Sequence, residues 1–298
     1  MPASKDLSGL IVPVISPVDE NDNIDEPAFR RVLRHLIAAG VDAVFVGGSA
    51  GEGPLLAPSP WSRLMEIAFD EGAGKVHLLG GVSDTSTRKV TEKIEVLAGI
   101  GYRYFVLTPT FYQPIPTSEE QLRLFGECKA AGGEMEMIAY NIPPFTASVI
   151  SIDTICEMAR RGWTRYYKES SADMTYFWRL MERAPSVGLN VFMGDERFIA
   201  DGLMAGACGI VPVCANYEPR TFVRACQAAK RGDANELMRL QKRIVYIRER
   251  LVLGSSCWLA GLKYAMSKLG MGSGKPVSPL QPASAEQKQA IDHLSPFE

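Results

Sequence analysis

Eight times between Leu10 and Val213, a short apolar run with strand character is followed by a longer stretch whose apolar residues recur at helical spacing. The runs are Leu10 to Val14, Ala43 to Val46, Val76 to Gly80, Tyr104 to Leu107, Glu136 to Tyr140, Tyr166 to Lys168, Asn190 to Met193 and Gly209 to Val213. Few architectures absorb so regular an alternation. Strand-then-helix units in this number fit a closed parallel barrel better than an open doubly wound sheet, so the predicted fold class is α/β, a (β/α)8 TIM barrel. After Pro219 the pattern turns wholly helical, over Arg220 to Lys230, Ala234 to Leu253, Cys257 to Leu269 and Ala283 to Leu294, which reads as a C-terminal helical cap. The expected organisation is a barrel core over 1–218, with the final barrel helix and a helical extension over 219–298 in the same structural unit.

Local punctuation supports these elements. Asp25-Glu26-Pro27 offers an N-cap, an acidic first turn and an early proline, and Phe29, Val32, Leu33, Leu36 and Ile37 then form one apolar stripe that Gly40 ends. Ser59-Pro60, Ser86, Ser118 and Ser151 are expected to open later helices, and glycines at 72, 101, 132 and 162 to lie near their ends.

A formal net charge of -2 and the absence of a basic run give no electrostatic footprint for nucleic acid or a membrane surface. No apolar stretch approaches the roughly 20 residues of a membrane span, and the opening residues have no apolar signal core, so a cytoplasmic location is expected. The six cysteines lack a C-x-x-C pair and read as reduced, mostly buried thiols. His35, His77 and His293 are too scattered for a metal site of ordinary ligand spacing, so no metal is expected. A small molecule is the expected partner.

In such a barrel, reactive groups gather at the C-terminal ends of the strands. The second run leads into Gly47-Gly48-Ser49-Ala50-Gly51-Glu52-Gly53, the fourth into Thr108-Pro109-Thr110-Phe111-Tyr112, and the fifth into Tyr140-Asn141-Ile142-Pro143-Pro144. The sixth ends in Lys168, followed by Glu169-Ser170-Ser171. A lysine held in a half-apolar slot loses hydration of its ammonium, so the neutral, nucleophilic amine becomes accessible near neutral pH and can condense with a ketone. The competing reading is a strand-end lysine snorkelling to solvent. The glycine-rich loop presents unobstructed N–H groups that can nest a carboxylate as well as a phosphate, or can be a plain turn; it contains neither G-x-G-x-x-G nor a P-loop Lys-Ser/Thr pair. Tyr140, one strand away from Lys168, is placed to shuttle protons, or is an ordinary core tyrosine.

Gly-Ser-x-Gly-Glu, Tyr-Asn-x-Pro and Lys-Glu-Ser, in this order and each at a strand end, resemble the dihydrodipicolinate synthase/N-acetylneuraminate lyase family of class I, Schiff-base-forming lyases. The resemblance runs from Leu10 to about Leu294 and takes in Gly194-Asp195 and Gly209-Ile210-Val211. It implies that Lys168 is the imine-forming lysine and Tyr140 the relay phenol. It places a keto-acid carboxylate at Gly48, Ser49 and Ala50, and puts Val211 and Gly194 beside the imine. A protonated imine withdraws electrons from the neighbouring carbon, so the lysine itself serves as electron sink and no cofactor is required.

Three departures mark this chain within that pattern. The carboxylate loop has Ser49-Ala50 where two hydroxyl residues are frequent. The arginine that dihydrodipicolinate synthases use for the aldehyde's carboxylate is replaced by Phe145, a loss worth on the order of 2 to 4 kcal/mol, or roughly 30- to 1000-fold. Phe111 falls on the family's second relay tyrosine, leaving Tyr112, one step on, as the candidate to substitute. The expectation is an aldolase or dehydratase acting on pyruvate or a 2-keto-3-deoxy acid. The alternatives are 4-hydroxy-tetrahydrodipicolinate synthase activity on pyruvate and aspartate semialdehyde, or non-catalytic keto-acid binding. The resemblance also implies a homotetramer, a dimer of dimers whose contacts Phe111 and Tyr112 would supply with apolar surface.

Overall fold

A computed structural model of the protein describes residues 6–252 and 257–294. Eight parallel strands close on themselves in chain order: β1 (Gly9–Pro13), β2 (Ala43–Val46), β3 (His77–Gly81), β4 (Tyr104–Leu107), β5 (Glu136–Asn141), β6 (Thr164–Glu169), β7 (Asn190–Met193) and β8 (Gly209–Ile210), with β8 pairing β1. The expected (β/α)8 barrel is therefore present. Its helices are α1 (Glu26–Ala38), α2 (Pro58–Gly72), α3 (Thr87–Ile100), α4 (Ser118–Gly132), the single turn α5 (Pro143–Thr146), α6 (Ile152–Arg160), α7 (Met174–Arg183), α8 (Ile199–Met204) and α9 (Pro219–Lys230). Three more follow: α10 (Ala234–Leu251), α11 (Ala260–Lys268) and α12 (Ala285–Asp292). Leu253, the expected end of α10, lies outside the described residues.

Strand period two sorts the core into two layers. Ile11, Phe45, Val106, Ile138, Tyr166 and Phe192 fill the barrel interior, while alternate residues such as Val12, Val44, Phe105 and Tyr167 pack outward under the helices. Full burial of such side chains contributes roughly 1.5–3 kcal/mol each. On β6 the alternation sends Tyr166 and Lys168 inward and Tyr167 outward, where its phenol meets Tyr176 at 2.8 Å.

The sequence places three strands at their exact limits, and the differences elsewhere have physical causes. β8 is shorter than the Gly209 to Val213 run because Pro212 has no N–H to donate to a ladder. β6 runs on through Glu169, which pairs with both Asn141 and Met193. Asp25 caps α1 through Ala28 N, and Ser151 caps α6 through Thr154 N, as expected. α4, however, is capped by Thr117 in a reciprocal arrangement with Glu120, and α2 begins at Pro58 before Ser59. None of the six cysteines is in a disulfide, and no described helix is long and apolar enough to cross a membrane.

Candidate active site

The neighbouring strands β5 and β6 set Tyr140 directly beside Lys168, and β7 sets Phe192 on its other side. Lys168 is 6% exposed, its Nζ lying 3.9 Å from the centroid of the Tyr140 ring and 5.1 Å from that of Phe45. The two rings meet edge-on, 6.3 Å apart. Loss of hydration in this apolar cup pulls the ammonium down from its ordinary 10.5 to about 7. Glu196 pulls the other way, but the loss of hydration is the larger effect. The snorkelling alternative is excluded: the amine lines a cavity at the barrel mouth.

Burial pushes the Tyr140 phenol above its ordinary value, opposed by the hydroxyls of Ser170 and Ser49. Ser170 Oγ is itself buried and forms no hydrogen bond within the described residues, so its effect on the phenol is one of proximity. Gly194 makes this crowding feasible. A methyl group there would fall 2.0 Å from Ser170 Oγ and 3.2 Å from Lys168 Cε.

The loop after β2 folds tightly on itself, with Gly53 N–H donating to Gly48 O at 3.1 Å and Ser16 Oγ–H to Gly51 O at 2.6 Å. Among the described residues, the N–H groups of Ser49, Ala50 and Gly51 donate to no acceptor. Unused donors in a glycine-rich loop are able to hold an anion, and Ser49 and Ala50 line the same cavity as Lys168. Gly53 is obligatory here, because a Cβ would sit 1.9 Å from Gly47 O. The loop is anchored from far along the chain: Glu52 and Lys263, each 2% exposed, pair at 2.5 Å, and Glu52 also accepts from Val277 N at 2.8 Å.

Two adjoining cavities, an inner and an outer lobe, lie at the barrel mouth and share part of their lining. An inner lobe of about 150 Å³ is lined by Lys168, Ser170, Ala50, Gly194, Glu196, Val211 and Arg248. An outer lobe of about 360 Å³ includes Gly48, Phe45, Phe111, Leu259 and Leu280; Ser49, Tyr140, Ile142, Phe145 and Trp258 belong to both. The structure thus brings together Lys168, Tyr140, Gly48, Ser49, Ala50, Val211 and Gly194. The Val211 N–H is already bonded to Met193 O at 2.9 Å, so any contact to a ligand comes from the rest of that residue. Tyr112 is not brought in. It is 95% exposed in a left-handed conformation, and Phe111 takes the place at the cavity wall.

Residues 6–295 match the model of the dihydrodipicolinate synthetase family. The chain belongs to that family. It is an enzyme of the class I lyase type that the family comprises. An uncharacterised DapA-like lyase of Halobacterium salinarum is 29% identical over 96% of this chain and 92% of its own length. The 4-hydroxy-tetrahydrodipicolinate synthase of Methylibium petroleiphilum is 26% identical over 97% of each chain. The crystal structure of dihydrodipicolinate synthase from Aquifex aeolicus superposes with a TM-score of 0.90 over 96% of each chain, at 24% identity, and shares the fold.

Within this family frame, several site residues escaped sequence reasoning. Glu196 follows Gly194-Asp195 and is fixed by Cys214 N–H at 2.6 Å, while Asp195 is engaged by Arg197 at 2.6 Å. Arg248 reaches the inner lobe from α10, 3.8 Å from Glu196. Its signal was present: it stands seven residues after Gln241 and four after Ile244, on the buried stripe of its helix. Asn141 binds the buried Glu169 at 2.7 Å and holds the ends of β5 and β6 together. Trp258, edge-on to Phe145 at 5.9 Å, fell within the helical pattern expected from Cys257, but α11 starts only at Ala260 and leaves Trp258 in the connection before it, where the period of a helix does not tell which way a side chain turns.

Proposed function

We propose that the protein is a Schiff-base lyase that binds an α-keto acid as an imine on Lys168. The keto-acid carboxylate sits at Gly48, Ser49 and Ala50, on the free N–H groups of Ser49 and Ala50, and the Tyr140 phenol carries protons to and from the reacting carbon's oxygen. Aldol cleavage or condensation, or loss of water beyond the imine, then proceeds with the protonated imine as electron sink. The observation that carries this reading is a buried amine at a cavity wall, close over a buried phenol, in a cavity also lined by Ser49 and Ala50, whose N–H groups are unused. Phe145 at the mouth disfavours synthase activity on aspartate semialdehyde, whose carboxylate would meet an aromatic ring instead of a guanidinium. The strongly exposed Tyr112 supports an assembly in which the loop after β4 contacts another copy, up to the homotetramer implied by the family; light scattering tests this.

Borohydride reduction in the presence of pyruvate tests the imine. The expected outcome is a reduced pyruvyl adduct on the intact protein that Lys168→Ala abolishes; the absence of any adduct with a panel of keto acids would defeat the proposal.

A further inference from the structure

Two polar side chains of the inner lobe have no part in binding a keto acid as described above. Ser170 Oγ is enclosed and has no partner among the described residues, and it crowds the lysine stem: a methyl group on Gly194 would touch both Ser170 Oγ and Lys168 Cε. Arg248 lines the lobe from α10, and the carboxylate it pairs with, that of Glu196, lies 3.8 Å away, beyond hydrogen-bond reach. The oxygens of that carboxylate are already engaged by the N–H and S–H of Cys214. Lys168 Nζ, between the Tyr140 and Phe45 rings, has no hydrogen bond or ion pair of its own among the described residues. An amine without an acceptor, a hydroxyl without a partner and an incompletely paired guanidinium thus share one lobe of about 150 Å³. Such a set suits an anion built on the amine itself, because a buried anion is stable only where donors meet it.

We infer that Lys168 is also a reversible carbamylation site, where dissolved CO2 competes with the keto acid for the amine. This rests on the reactive amine of the proposed function, and not on which keto acid it takes. The Nζ lone pair forms a bond to the carbon of CO2, one C=O π pair moves onto oxygen, and an N–H proton leaves to water; nothing is oxidised or reduced. The carbamate oxygens accept from Ser170 Oγ–H and the Arg248 guanidinium. Of the two carboxylates lining the lobe, Asp195 is paired with Arg197 at 2.6 Å and Glu196 is held above the usual carboxylate range by burial, which limits their repulsion of the new anion. Access favours the same reagent. The adjoining outer lobe presents Phe45, Phe145, Trp258, Leu259 and Leu280, a surface that small, uncharged CO2 crosses without shedding a hydration shell, as an ionised keto acid must. While the carbamate stands, the nitrogen lone pair is delocalised into its carboxylate and cannot attack a ketone.

The test adds ¹³C-labelled bicarbonate, in equilibrium with CO2, to the full-length enzyme at fixed pH and ionic strength. A carbamate carbon resonance is expected that Lys168→Ala abolishes and that added pyruvate displaces. Borohydride trapping of pyruvate should slow about twofold when half of the enzyme carries the label, with no such effect from chloride at equal ionic strength. Arg248→Met, referred to its own rate without CO2, should need roughly tenfold more CO2 to halve trapping. Absence of the resonance, its persistence in Lys168→Ala, trapping that CO2 does not slow, or equal sensitivity in Arg248→Met overturns the inference. Pyruvate trapping without a carbamate defeats only this inference, whereas a carbamate on Lys168 in an enzyme that no keto acid traps defeats only the keto-acid reading.

Discussion

If Lys168 titrates near 7, the rate at which pyruvate is captured must follow that ionisation. At pH 7 a lysine of ordinary value is uncharged only about 0.03% of the time, against about half the time for Lys168, a gain of roughly 1,500-fold in nucleophilic form. A less basic amine is also a weaker nucleophile. With a Brønsted slope near 0.4–0.5, as for thiolates, about 25- to 55-fold of the gain is lost, leaving roughly 30- to 60-fold. The logarithm of the trapping rate should therefore rise with unit slope and level off near pH 7. Stability supplies a second reading of the same quantity. The folded value lies below the unfolded one, so the unfolded chain binds more protons between about pH 7 and 10.5, and stability from this residue rises with pH across that window. Below pH 7 the full cost applies, ~5 kcal/mol at most. Lys168→Met removes it, so the variant should melt higher than wild type, by up to roughly 10 °C at pH 6, with the gap closing towards pH 10. A trapping profile that breaks near 10, or a melting gap that does not change with pH, would refute the reasoning.

Tyr140→Phe keeps the ring packed against Phe45 and removes the proton carrier, so turnover should fall roughly 10²- to 10⁴-fold while the melting temperature changes little; steady-state kinetics and calorimetry check both. Lys263→Met leaves Glu52 buried without its counter-charge and should destabilise the fold by about 3–5 kcal/mol in urea titrations, with partial recovery when Glu52→Gln is added. Gly53→Ala forces a methyl group onto the Gly47 carbonyl, and pyruvate affinity, measured by the concentration dependence of trapping, should fall at least tenfold.

The barrel was legible because each strand and helix writes its own period locally, and the shared cavity of Lys168, Tyr140 and Ser49 was foreseeable because each lies at or just beyond the C-terminal end of a strand. Within one chain Tyr112 lies away from that cavity, which sequence order does not reveal. Where a chain leaves a strand for a loop, ungapped order does not tell which of two adjacent aromatic residues turns inward, and the left-handed backbone at Tyr112 sends it outward. The outer lobe was not legible, since Phe45, Phe145, Trp258 and Leu280 come from four separate segments and meet only in space. The same holds for Glu52 and Lys263, separated by 211 residues.

That separation bears on biosynthesis. While the nascent chain is still on the ribosome, the loop after β2 can emerge and begin to fold, but its carboxylate cannot be sequestered as an ion until α11 has been made. The loop after β2 is therefore among the last parts of the enzyme to be completed, and a chain terminated before Lys263 should lack the keto-acid capture proposed for that loop even with its eight strands already translated.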